Sequence, residues 1–369
     1  MPGVSTEAEP LQLVRLGHGP DILLPGRAPS DFHAYAGAVR KSQLFTSEDR
    51  QLAHIQALPA TRAAGDDGRP LVGIMLSQPM QLIPGHHHTL SLHIARVEEM
   101  GGRPVLLPPV ADLAMAPHKR EATIAAQAKR LDALIGPGGA DVDPRIYGAT
   151  PSFSLSTNYA RDRYEADVGL AAMDSSCAML GICRSHQLWN AASGGSLHQD
   201  VQANGRTVTD QNQLNHGLDL SKRFELKSLS GKVLYRNDVV IAKDSDVSAT
   251  IAGTHLVPNS LHHQVVASAG AFRVVGVAPD TDTGKTSIEM TERWNAMTMQ
   301  FHPEFMPSDT SQRALYAALG RRAEIFRMVR DQGAHPNVAA LERRMRDAAR
   351  FSDSDFRWVR ANATRLVRQ

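Results

Sequence analysis

The chain reads as an α/β protein built on a mainly parallel sheet with helices on both faces. Three observations predict this. Between residues 70 and about 306, apolar runs of strand length alternate with stretches of helical spacing. Glycine-rich turns punctuate that alternation, as at Gly101-Gly102 and Gly136-Pro137-Gly138-Gly139. The apolar runs, such as Ala133-Leu134-Ile135 and Val239-Val240-Ile241-Ala242, are strand-sized, far short of the roughly 18 to 20 residues a membrane helix needs. With 369 residues, 42% hydrophobic and 21% charged, the chain holds enough apolar matter for one large domain or two smaller ones, which excludes wholesale disorder. A formal net charge of +2 gives no global electrostatic case for nucleic acid. Cys177 and Cys183 cannot make a disulfide framework, and no basic segment leading into an apolar stretch opens the chain. Both points indicate a reduced, cytoplasmic compartment.

The elements follow in order. Residues 1–69 form an N-terminal extension with little strand pattern. One helix is expected there, opened by Ser47-Glu48 and carried by Leu52, Ile55 and Leu58 at helical spacing. Ala60 to Gly68 reads as a linker. In the α/β domain, residues 70–310, Leu71–Leu76 is a buried strand. Thr89–Met100 is a helix stopped by Gly101-Gly102, and Pro104–Pro108 is a second strand. Ala122–Lys129 is helical, Leu131–Ile135 is a third strand, Tyr164–Asp174 is helical, and Ala178–Ile182 is a fourth strand. Arg223 to Met299 is richer in short strands, among them Val274–Val277, Ser287–Met290 and Ala296–Met299. Residues 311–369 hold 13 Arg, no Lys and six acids, in a helix-favouring composition broken at Gly333–Pro336. Ala314, Leu315, Ala318, Leu319, Ile325, Phe326 and Val329 recur at spacings that build apolar faces. This C-terminal extension should therefore pack on the α/β domain or on a second copy, and it is the natural place for a protein partner.

The strongest chemical signal is Leu180-Gly181-Ile182-Cys183-Arg184-Ser185-His186-Gln187. An apolar strand runs into a cysteine and then into a helix. Such a turn exposes its central side chain to the helix N-terminal amides and the positive end of the dipole, which favour a thiolate and an oxyanion. Equally, a free cysteine there can be a small buried hydrophobe. Gln300-Phe301-His302-Pro303-Glu304 puts a histidine and a carboxylate two residues apart, the arrangement of a base held by an acid. Gly136-Pro137-Gly138-Gly139-Ala140-Asp141 is a strand-end turn able to aim backbone N–H groups at negative charge. It has no following Lys-Ser/Thr, so it is not a P-loop. His86-His87-His88 lacks a carboxylate or cysteine cluster at ligand spacing and reads as a polar loop, with no metal site expected. His262 and His263 sit in a loop that could line a pocket.

Together these segments resemble the class I glutamine amidotransferases, and within them the γ-glutamyl-γ-aminobutyrate hydrolase family. The likeness rests on seven motifs in order: Gly101–Pro108; Pro137–Pro144 with Tyr147-Gly148; Arg161-Asp162 with Glu165; Gly181–Arg184; Gly194–Asp200; Asn259–Gln264; and Gln300–Glu304. It covers roughly residues 70–306. The family usually carries glycine two residues after the nucleophile, where this chain has Ser185. The resemblance implies a flavodoxin-like fold and a cysteine hydrolase that cleaves a γ-glutamyl amide through a thioester. In it Cys183 is the nucleophile, His302 the base and Glu304 its orienting acid. Backbone N–H groups of Gly139 and Arg184 would form the oxyanion hole, and Gly138, Gln187 and His262 would meet a small γ-glutamyl substrate. No cofactor is implied. Two other readings stand beside it. One is a glutaminase supplying ammonia to a partner synthase. The other is a specialised protein, exported by a non-classical route, that acts on a protein-linked γ-glutamyl group or works by binding alone.

Overall fold

A computed structural model of the chain describes residues 8, 10–16, 19–26, 60–62, 65–76, 88–108, 116–175, 177–200, 238–279 and 286–331. The helix expected after Ser47, His86 and His87, and the sequence beyond Asp331 lie outside the described residues. In chain order the described strands are β1 (Leu11–Leu16), β2 (Asp21–Pro25), β3 (Ala60–Arg62), β4 (Leu71–Met75), β5 (Arg103–Leu107), β6 (Ala133–Gly136), β7 (Ala178–Ile182), β8 (Ser196–His198), β9 (Val239–Ile241), β10 (His255–Leu256), β11 (Val265–Ser268), β12 (Arg273–Pro279), β13 (Thr286–Arg293) and β14 (Ala296–Met299). The helices are α1 (His88–Glu99), α2 (Pro117–Arg130), α3 (Tyr159–Met173), α4 (Arg184–Ala192), α5 (Asp246–Ile251) and α6 (Thr310–Asp331). Two 3-10 turns cover Pro144–Tyr147 and Pro303–Phe305. Two compact units result, one containing the described residues to Pro137, Asn158–Met179 and Tyr316 onward, the other Gly138–Thr157 and Leu180–Leu315.

The first unit carries the parallel α/β pattern. β4 pairs in parallel with β5 and β6, and β5 with β2. Every residue of β4, β5 and β6 is buried, as expected of strands covered on both faces. The Asp132 carboxylate accepts the Leu71 N–H at 2.7 Å and fixes the start of β4. α1 stops where the glycines predict. Gly101 takes a φ of 82°, and the Gly102 N–H bonds back to the Val97 carbonyl at 2.9 Å, which releases the chain into β5. α3 begins earlier than its apolar spacing suggests, because the Asn158 side chain caps it by accepting the Arg161 N–H at 3.1 Å.

The N-terminal extension corrects the sequence reading. Instead of lacking strands, it supplies β1 and β2, and the expected linker supplies β3. β2 runs parallel to β5, while β1 pairs antiparallel with both β2 and β3. Ile22, Leu23 and Leu24 are buried. Strands of three to six residues flanked by glycine and proline are too short for their periodicity to stand out. What recruits them is the open edge of β5. The remainder of the linker does behave as a turn, with Asp66 accepting the Gly68 N–H at 2.9 Å and Asp67 the Arg69 N–H at 3.1 Å.

α6 supports the packed reading of the C-terminal extension over its described part. From Tyr316 on it belongs to the first unit, where Leu319, Ala323 and Phe326 are fully buried. Gly320 sits so close to Met100 that a Cβ would lie 3.0 Å from that residue's Cβ and carbonyl. The Tyr316 hydroxyl pairs with His93 Nδ1 at 3.2 Å.

The second unit is mostly antiparallel, in the order β10, β9, β12, β13, β14, with β11 pairing both β13 and β8. The fold class holds as a mixed sheet with helices, the parallel strands lying in the first unit. Among the described residues no helix is long and apolar enough to cross a membrane. Leu319→Ala should cost about 2–5 kcal/mol, the usual toll of a large-to-small change in a packed interior. Urea unfolding checks this, and an unchanged midpoint would place α6 outside the cooperative core.

Candidate active site

Cys183 is the junction of β7 and α4. Its φ of 49° and ψ of −103° lie where side-chain-bearing residues rarely go. Its N–H donates to the Met299 carbonyl at 2.7 Å, and its own carbonyl accepts the Gln187 N–H at 3.1 Å, the opening bond of the helix. Leu180, Ile182, Leu188 and Trp189 are buried on either side and hold strand and helix in place. The expected strand-to-helix elbow is thus present. Ser185, the departure from the family pattern, lies fully buried at the second position of α4.

His302 and Glu304 come together as expected. His302 Nδ1 donates to Glu304 Oε1 at 2.7 Å. A carboxylate only accepts, so this bond fixes the ring and leaves Nε2 for the cysteine side. Asn259 holds the His302 backbone from both directions, donating to its carbonyl at 2.7 Å and accepting its N–H at 2.8 Å. The Phe305 ring stacks on the imidazole with centroids 5.2 Å apart. Burial by itself would lower the His302 pKa. Attraction to Glu304 and then Cys183, with hydrogen bonds to both, outweighs it and pushes the pKa up to about 10.

Gly138 shows how close these parts lie. A Cβ built there would stand 2.5 Å from His302 Cε1, and 3.4 Å from both His302 Nε2 and Cys183 Cβ. Only glycine lets the turn approach so near. Gly139 follows in the same turn. Arg184 is the first residue of α4, so its N–H has no partner within the helix ladder.

Gln187 and His262 are more engaged than a substrate contact needs to be. Gln187 Nε2 donates to the Gln264 carbonyl at 2.8 Å and to Gln300 Oε1 at 3.1 Å. His262 Nδ1 bonds the same Gln264 carbonyl at 3.0 Å, with Nε2 4.0 Å from Glu289. Burial lowers the His262 pKa to about 4 and that of His186 to about 3. His263 behaves differently. Its Nε2 meets the Asp141 carboxylate at 2.8 and 3.0 Å, and its pKa rises although burial opposes it. That contact ties the glycine turn to the 259–264 loop.

The sequence reading left Asn259 and Gln300 without a role at the site, although both stand in motifs it quoted. Gln300 is fully buried, and its Nε2 lies 3.7 Å from Cys183 Sγ. Among the described residues no group of three or more His, Cys, Asp or Glu is placed to hold a metal ion.

A cysteine at a strained strand-to-helix turn, with a carboxylate-bound histidine alongside, is the equipment of a cysteine-dependent amide hydrolase or amidotransferase. The chain belongs to the Peptidase C26 family, whose model matches residues 70–304. It is 29% identical over 175 residues to YvdE of Lactococcus lactis subsp. lactis, a protein named for its likeness to glutamine amidotransferases. That match spans 47% of this chain and 66% of YvdE, just under two thirds. It is 28% identical over 218 residues to NtpR of Enterococcus hirae, covering 58% of this chain and 80% of that one. Among solved structures, the glutaminase domain of Trypanosoma brucei CTPS with bound acivicin aligns with a TM-score of 0.45 at 14% identity, over 69% of this chain and 93% of that one.

The buried histidines set the acid limit of stability. His186 and His262 bind fewer protons folded than unfolded below their ordinary pKa of 6.5. Unfolding therefore takes up protons there, and stability falls as pH drops from about 6.5 toward 4. Between pH 7 and 5 each should cost about 2 kcal/mol. Urea midpoints at the two pH values check this, and the difference should shrink in His262→Gln.

Proposed function

We propose that the protein hydrolyses a γ-glutamyl amide through Cys183, His302 and Glu304. The observation that carries this reading is the positive φ of Cys183 at the strand-to-helix turn, with the Glu304-bound imidazole beside it. His302 holds the thiol proton at Nε2, and Glu304 keeps the ring oriented and its charge stabilised. The thiolate attacks the γ-carbonyl carbon, and the N–H groups of Gly139 and Arg184 receive the developing oxyanion. The carbon–nitrogen bond breaks as His302 returns its proton to the leaving amine. Water, activated by the same imidazole, then attacks the thioester, releasing the γ-carboxylate and restoring the thiol.

Gly138, whose missing side chain leaves room for the His302 ring, faces the glutamyl group with its backbone. Gln187 and His262 shape the wall around the reacting carbon while bonded to their protein partners. Two free cysteines fit a reducing, cytoplasmic setting. The name of YvdE makes glutamine the second substrate to compare, since its amide presents the same carbonyl with ammonia as the leaving group.

The decisive measurement is a hydrolysis screen of γ-glutamyl amines beside glutamine, with Cys183→Ala as the blank. Turnover should be seen with γ-glutamyl amines and vanish in Cys183→Ala, whose melting temperature stays close to that of the parent. Retained turnover in that variant would sink the nucleophile assignment, and release of ammonia from glutamine alone would favour the glutaminase reading. His302→Ala should be nearly as damaging as loss of Cys183, and Glu304→Gln milder, because residues that act as one unit are not additive. Comparing kcat for the three variants tests the order.

A further inference from the structure

We propose that Gln300 is an N–H donor to the Cys183 sulfur, aimed by Gln187, and that it favours the thiolate. This rests on the reading of Cys183 as the nucleophile.

The orientation of the two amides follows from one group that cannot donate. The Gln264 backbone carbonyl has only lone pairs, so the Gln187 group bonded to it at 2.8 Å is the NH2. That same nitrogen lies 3.1 Å from the Gln300 side chain, so the Gln300 atom facing it is the carbonyl oxygen. The NH2 of Gln300 is then left pointing at Cys183 Sγ, 3.7 Å away. Side-chain amides are ambiguous when viewed singly. Here a backbone carbonyl settles the whole series.

The placement comes from the fold. Gln187 stands one helical turn after Cys183 on α4, so the helix that presents the sulfur also carries the residue that sets its neighbour. Gln300 follows β14, and its backbone N–H donates to the Glu289 carbonyl at 2.8 Å. Gln187 and Gln300 are both buried. A donor there, shielded from water, bonds more strongly to a charged sulfur than to a neutral thiol, and that difference holds the cysteine in its nucleophilic form. Neither glutamine exchanges a proton in this scheme; the thiol proton goes to His302.

The test is the pH dependence of iodoacetamide alkylation in the full-length protein, read by mass spectrometry on the Cys183 peptide so that Cys177 does not contribute. Gln300→Glu keeps the shape and sets a carboxylate against the sulfur. It should raise the alkylation midpoint by about one pH unit or more and slow the reaction about tenfold at pH 7. Gln300→Met, with no donor, should raise it less. Gln187→Met, which frees the Gln300 amide to turn, should also raise it. Folded Gln300→Glu and Gln300→Met proteins with the parent midpoint would overturn the proposal. Should neither fold, an unchanged midpoint in Gln187→Met would do so alone. Retained turnover in Cys183→Ala would instead remove the nucleophile reading and leave the alkylation result standing.

Discussion

The site depends on one unfavourable backbone conformation. Holding a non-glycine residue at positive φ costs on the order of 1–3 kcal/mol, and the chain keeps Cys183 there because both flanking elements are held by burial. β7 is buried at every position, and α4 buries Leu188 and Trp189. Between them the cysteine N–H is claimed by Met299 and its carbonyl by Gln187. No relaxed alternative keeps strand, helix and both bonds. The sulfur, the N–H that opens α4 and the Gln187 side chain all inherit their positions from that constraint.

Around the cysteine, equal burial leads to opposite outcomes. His186, His262 and His302 are all withdrawn from water, which by itself disfavours a charged ring. His186 meets the Thr298 hydroxyl at 2.6 Å, and His262 bonds a backbone carbonyl. Both stay neutral. His302 alone forms a direct 2.7 Å bond to a carboxylate, and its charge is retained. Glu289, 4.0 Å from His262, is too far to do the same. A difference of little more than an ångström separates a structural imidazole from one able to carry a proton.

The parts of the molecule legible in the sequence are those with a strong local pattern. The apolar runs of β4, β7 and β14 stand at or within one residue of where their composition put them, and Cys183, His302 and Glu304 announced themselves by residue type and spacing. β1, β2 and β3 did not, because a short strand is stabilised by the edge it joins and not by its own periodicity. Asn259 and Gln300 were hidden for a similar reason. An amide gains its meaning from partners 43 and 117 positions away in the chain, and no local pattern records those. The motif marks the loop that carries His262, but the burial of that ring beside Gln264 depends on packing that the motif does not encode.

The charge on Arg103 ties the family region to the segment that precedes it. Arg103 lies in β5, inside the region that defines the family, and its guanidinium is 3% exposed. Its Nε donates to the Asp21 carboxylate at 2.7 Å, and Arg15 meets the other oxygen of that carboxylate at 2.7 Å. Asp21 and Arg15 both come from the extension, outside the family region. A buried cation stripped of its anion is costly, by about 3–5 kcal/mol where such pairs have been broken. A chain cut at residue 70 would lose this ion pair together with the pairing of β2 on β5. What looks in the sequence like an appendage supplies a counter-ion to the interior, and the homology boundary and the folding boundary of this chain are different places.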